Sequence, residues 1–135
     1  MDTIIDLFEQ SCSKYPDNPY LWEKIGGKYE AMTYAWTRQR VREIAGGLLY
    51  AGLKKGQRVA LLAEGCADWV CCELGILYAG GINVPLSIRL NEQELIFRLK
   101  FSDSICLLYA NGSPDYRGAG DSGENLCFFT GNRRG

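Results

Sequence analysis

Four groups of residues have types and spacings that suggest chemistry. Gly118, Gly120 and Gly123 form the pattern G-x-G-x-x-G, a turn that lets the backbone approach a pyrophosphate. That use needs a strand before the turn and a helix after it, so that the helix N-terminus faces the phosphates. Here the pattern follows Asp115, Tyr116 and Arg117 in a stretch without a helical period, and it reads as a chance match. Gly120, Asp121, Ser122 and Gly123 also spell the nucleophile loop of trypsin-like serine proteases. That mechanism needs a histidine base, and the chain has no histidine. Asp17, Glu23 and Glu30 could do paired acid–base work, but their setting around two short strands reads as a solvated hairpin face. Glu64 stands alone after an apolar run, where a phosphate-accepting receiver domain would need an acidic pair.

The six cysteines, Cys12, Cys66, Cys71, Cys72, Cys106 and Cys127, are the remaining reactive set. No pair is separated by two residues, and without histidine the spacing does not suit zinc. Met1 is followed at once by Asp2 and an amphipathic stretch, so no signal peptide is expected. The thiols are therefore expected to be buried and reduced, acting as small hydrophobes in a cytoplasmic protein. No apolar run approaches the ~18 residues of a membrane span. With 15 basic and 16 acidic residues the net charge is -1, which argues against nucleic acid as a partner. The 135 residues and 47% apolar content suit one ordinary domain with a true core.

These residues must be carried by elements that the pattern locates. Ile4, Ile5, Leu7, Phe8 and Cys12 share one side of a helix over 2–15, stopped by Pro16. Tyr20–Glu23 and Tyr29–Tyr34 read as a hairpin about Gly26 and Gly27. A second helix runs through 33–51, beginning near Thr37, with Val41, Ile44, Ala45, Leu48 and Leu49 as its stripe and Gly52 as its C-terminal stop. The continuous apolar run Arg58–Ala63 reads as a strand buried on both faces. A largely apolar helix follows over Ala67–Ala79, with Asp68 in its first turn. Ile82–Leu86 is a strand, Asn91 caps a helix over Glu92–Phe101, and Ile105–Tyr109 is a third buried strand. Strand, helix, strand, helix, strand with short loops predicts a parallel sheet with crossover helices, half of a doubly wound α/β domain. Ligands of such sheets sit at the carboxyl ends of the strands, here the tips Glu64–Cys66 and Pro85–Ser87. Residues 110–135 are glycine-rich and aperiodic, and are expected to be an irregular or disordered tail in which only Leu126–Phe129 suits a strand.

Several stretches resemble one known family. Met32, Thr33, Tyr34 and Ala35 are similar to its "(L/M)-T-Y-x-(E/D)-L". Gly52–Leu61 resembles "G-(V/L)-x-x-G-D-R-V-A-(I/L)", with Gln57 in place of Asp. Asp68 and Trp69 stand where it has "E-W", and Gly65 where it often has Asn. Leu77–Leu86 resembles "x-x-A-G-(A/G)-x-x-V-P-(L/I)", and Asn91–Leu99 with Ser102, Asp103 and Ser104 resembles "E-E-L-x-x-x-L-x-x-S-D-A". In this order, over about residues 3–108, these pieces identify the chain as resembling the N-terminal part of an AMP-forming acyl-CoA synthetase, of the adenylate-forming superfamily and nearest its fatty-acyl-CoA ligase branch.

The resemblance implies an N-terminal α/β subdomain over 1–109, with 110–135 as an atypical tail. It implies a parent reaction in which a carboxylic acid, ATP and CoA give acyl-CoA, AMP and pyrophosphate, with Mg²⁺ as cofactor and a fatty acid as substrate. The family's phosphate loop, magnesium-binding Glu, ribose-binding Asp and adenylating Lys have no full counterparts in these 135 residues, so no catalytic or metal residue is assigned. Thr130–Gly135 echoes the end of the phosphate loop, "T-G-N-P-K-G", with Arg133 and Arg134 replacing Pro and Lys. Thr130 and Gly131 are accordingly the candidate nucleotide contacts. The chain is thus expected to lack ligase activity alone. The alternatives are a non-catalytic α/β binding or self-association module, invited by an incomplete sheet, and a new nucleotide pocket around Gly118–Gly123.

Overall fold

The computed structural model describes residues 3–63, 67–110 and 126–130. Helix α1 spans Ile4–Lys14, and its N-cap is Thr3, whose hydroxyl accepts from the Asp6 N–H at 3.1 Å. Strands β1 (Pro19–Ile25) and β2 (Lys28–Thr33) form a two-stranded antiparallel sheet. Ile25 pairs with Lys28, and Gly26 and Gly27 both have positive φ (58° and 81°), the tight turn that suits hairpin twist. Glu23 and Glu30 face each other across the ladder. The Oε1 atom of Glu23 is buried, so this pair is not simply a solvated face.

Helix α2 spans Tyr34–Tyr50, beginning three residues before the expected Thr37. The reason is local: the Thr33 hydroxyl accepts from the Trp36 N–H at 3.1 Å, and Thr37 Oγ1 donates to the Thr33 carbonyl at 2.8 Å. These bonds stabilise a helical first turn despite its aromatic residues. At its other end, Leu53 N–H bonds Leu48 O and Gly52 N–H bonds Leu49 O, each at 3.0 Å, the paired bonds of a Schellman stop.

Then come β3 (Arg58–Leu62), α3 (Ala67–Tyr78), β4 (Ile82–Leu86), α4 (Glu92–Ser102), β5 (Ser104–Ala110) and β6 (Leu126–Thr130). The sheet order is β4-β3-β5-β6. Strands β4, β3 and β5 run parallel, as the alternating pattern predicts, while β6 runs antiparallel to β5. The expected tail over 110–135 thus holds a strand where its apolar residues allow one; residues 111–125 and 131–135 lie outside the described residues.

The chain moves outward from β3 to β4 and back past β3 to β5. Right-handed crossovers then put α3 and α4 on opposite sides of the sheet. On the α3 side, Val59 and Leu61 of β3 and Cys106 and Leu108 of β5 meet Val41, Ile44 and Leu48 of α2 and Cys71, Cys72 and Ile76 of α3 in one core. Helix α1 adds Phe8 and Cys12. Tyr20 stacks on Tyr34 at 4.5 Å and meets Phe8 at 5.7 Å, tying the hairpin to α1 and α2. Two short connections fix the geometry. Gly80, at φ 81°, ends α3, and Gly81 N–H then bonds Ile76 O at 2.9 Å, so β4 starts at once. Asp103 ends α4 in the left-handed region at φ 57°, which Asp tolerates better than most side chains.

Candidate functional site

The parallel ladder aligns the carboxyl ends of its three strands: Leu62 pairs with Leu86 on one side and Tyr109 on the other. Of the two expected tips, 64–66 lies outside the described residues, and Pro85–Ser87 closes β4. Ser87 is engaged locally: its Oγ accepts from the Arg89 N–H at 3.2 Å, and its carbonyl accepts from the Leu90 N–H at 3.3 Å. These two bonds close the turn after β4 on itself.

Thr130 sits elsewhere. Strand β6 starts beside Ala110 at the carboxyl end and runs back, so that Thr130 pairs with Cys106. Cys106 is three positions before Tyr109, which puts Thr130 about 10 Å along the sheet from the strand tips. Gly131, like Gly118–Gly123, lies outside the described residues.

Among the described residues, the densest polar cluster is one that the sequence did not single out. The carboxylate of Glu9 on α1 is held by two other helices. Arg38 of α2 reaches both oxygens, through Nη2 at 2.6 Å and Nε at 3.2 Å. Arg42, one turn later, stands 3.6 Å away. The Tyr78 hydroxyl of α3 donates to the same carboxylate. Burial pushes the Glu9 carboxyl upward, but the hydrogen bonds from Tyr78 and Arg38 and the charges of Arg38 and Arg42 outweigh it, and the net shift is downward from 4.5. Tyr78 moves the other way, raised by burial and by its bond to Glu9. A carboxylate so fully engaged has no basicity to offer a substrate, and the cluster ties α1 to the body of the fold. Its sequence signal was thin: Arg38 and Arg42 share a face of α2, but nothing local points to Glu9.

The thiols are equally quiet. Cys12, Cys71, Cys72 and Cys106 are buried and joined by no disulfide. Burial raises the Cys106 thiol to about 11, and burial together with Glu9 raises Cys12. Among the described residues no three His, Cys, Asp or Glu side chains converge to hold a metal ion, and no helix is long and apolar enough to cross a membrane.

A parallel sheet built on these glycine and proline junctions matches known proteins. Residues 8–126 match the family model described as "AMP-binding enzyme". The chain belongs to the AMP-binding enzyme family. The long-chain-fatty-acid–[acyl-carrier-protein] ligase AEE15 of Arabidopsis thaliana, a chloroplastic protein, is 27% identical over 80% of this chain and 15% of its own length. The Drosophila melanogaster long-chain-fatty-acid–CoA ligase heimdall is 36% identical over 59% of this chain and 12% of its own. Among solved structures, the fatty acid AMP ligase from Legionella pneumophila superposes with a TM-score of 0.75 at 26% identity, over 82% of this chain and 20% of that one. The chain thus spans about a fifth or less of the length of these family members.

Proposed function

We propose that the chain is the N-terminal α/β part of an ATP-dependent, AMP-forming fatty-acyl-CoA ligase, and that the 135 residues alone do not catalyse the reaction. The observation that carries this reading is the family match over residues 8–126, in a chain that spans 12–15% of two relatives named as long-chain-fatty-acid ligases. In the parent reaction a fatty-acid carboxylate attacks the α-phosphate of ATP, forming an acyl-adenylate and releasing pyrophosphate. The CoA thiol then attacks the acyl carbon and AMP leaves, giving the thioester. Such chemistry depends on fixed donors and charge neutralisation at the phosphates. Mg²⁺ would supply part of that charge in the intact enzyme, held largely by phosphate oxygens and water with one or two carboxylates, and no residue of this chain is assigned to it. Glu9, Arg38, Arg42 and Tyr78 serve one another, and the turn at Ser87 is closed on itself.

The test is ATP–pyrophosphate exchange and fatty-acyl-CoA formation by the purified chain, followed by mass spectrometry. No product above the enzyme-free blank is expected, and steady turnover overturns the reading of inactivity. Calorimetry with ATP addresses Thr130 and Gly131 directly. No saturable heat is expected, whereas ATP binding abolished by Thr130→Ala would make Thr130 a phosphate contact. The same proposal puts the protein in a reducing, cytoplasmic setting, supported by four buried thiols without disulfides. Cell fractionation decides between that and the chloroplast location of one relative.

A further inference from the structure

Helix α4 has two faces of opposite character. Leu95 and Leu99 are half-buried. On the outer side Phe97 is 65% and Phe101 82% exposed, with their rings stacked at 5.8 Å, and Ile96 beside them is 44% exposed. A contiguous aromatic stripe open to water marks an interaction surface. The charges along α4 are ordered: Glu92 and Glu94 in the first turn, Arg98 and Lys100 in the second half. At about 100° per residue, Gln93 and Lys100 flank the Phe97–Phe101 stripe on one side, and Glu94 and Arg98 flank it on the other. Neither Arg98 nor Lys100 takes part in an ion pair among the described residues.

We propose that α4 is a homodimer surface, on which two copies of the chain pack their α4 helices antiparallel about a twofold axis. The charge order selects this partner. A twofold axis perpendicular to both helices keeps each flank on its own side and reverses position along the helix. With the axis near Ile96, Glu94 of each copy meets Arg98 of the other, Gln93 faces Lys100, Phe97 meets Phe97, and Phe101 lies over the first turn of the other helix. Such an interface is isologous and self-limiting. A twofold axis parallel to the helices exchanges the flanks instead, setting Arg98 beside Lys100 of the other copy and Glu94 beside Gln93. One oxygen of Glu94 accepts from the Asn91 N–H at 3.0 Å as part of the helix cap, which leaves the other for the partner's arginine. A pair of 11-residue helices buries less than the ~1,200 Å² of a standard interface, so the dimer is weak, with Kd between about 1 µM and 1 mM.

Sedimentation equilibrium of the 135-residue chain over a loading series spanning that range tests the proposal, independently of the ligase reading. A reversible monomer–dimer equilibrium is expected. Phe97→Ser with Phe101→Ser should leave a monomer throughout, with an unchanged far-ultraviolet circular dichroism spectrum. Arg98→Glu should weaken association about tenfold or more through facing carboxylates, and Arg98→Glu with Glu94→Arg should restore it. Because Glu94 also caps α4, Gln93→Lys with Lys100→Glu is the second variant. It leaves the cap intact and adds a complementary pair on the other flank, so it should tighten the dimer. A wild-type monomer across the series, or a dimer indifferent to all these changes, overturns the proposal.

Discussion

Glu9 shows how much one side chain can organise. Its carboxylate joins α1 to α2 through Arg38 and to α3 through Tyr78. Glu9→Gln should cost about 1–2 kcal/mol in urea unfolding, the scale of a charged hydrogen bond at a partly exposed site. The pH dependence follows from the direction of the shift. A carboxyl held below 4.5 in the folded chain adds stability above that pH and loses it as pH falls through its folded value. Glu9→Gln should therefore flatten the acid limb of the stability profile below pH 4.5. The buried thiols give the opposite limb. Cys106, raised from 9.0 to about 11, keeps its proton in the fold after the unfolded chain loses it. Its contribution is complete below pH 9 and is lost as pH rises through 11, and Cys106→Ala should remove that alkaline dependence. Alkylation at neutral pH mapped by mass spectrometry should label Cys12, Cys71, Cys72 and Cys106 only after denaturation. Burial of these thiols was legible from the apolar runs around them. The Glu9 cluster was not, because Glu9 and Tyr78 lie 69 positions apart and no periodicity links such distant polar residues.

At the scale of elements, the crossing of α2 and α3 depends on Gly75. A Cβ added there would stand 2.6 Å from Ile44 Cγ2 and 3.3 Å from the Val41 carbonyl oxygen. Gly75→Ala gains roughly 1 kcal/mol of helix propensity but must push the helices apart. We expect a net loss of about 1–2 kcal/mol, and Gly75→Val should lower the melting temperature further. Thr33→Ala removes the α2 cap and should cost about 1 kcal/mol by the same melt. The elements themselves were largely readable, for physical reasons that differ from place to place. The unbroken run at 58–63 marks a strand with both faces covered, and Gly52 marks a helix stop. The start of α2 was placed three residues late because Tyr34 reads as the end of the hairpin strand, while the capping bonds of Thr33 and Thr37 decide otherwise. The position of β6 beside β5 could not be read at all, since antiparallel pairing of a distant apolar stretch leaves no local mark. Nor could Thr130's place opposite Cys106, which depends on that pairing.

For the molecule as a whole, the central position of β3 has a consequence for how the chain is made. Val59, Ala60 and Leu61 have no exposure to solvent in the finished fold. Both neighbours of this strand, β4 and β5, come after it in sequence. During synthesis the hairpin can close as soon as it emerges, because its partners are adjacent. Strand β3 instead finds no partner until β4 emerges after one crossover, and its second edge stays open until residue 110 has been added and the second crossover has formed. Non-local parallel pairing is slow for that reason, and an exposed strand awaiting its partners is where nascent chains aggregate. Yield of soluble protein should therefore depend on temperature and chaperone supply during translation more than on the stability of the folded product.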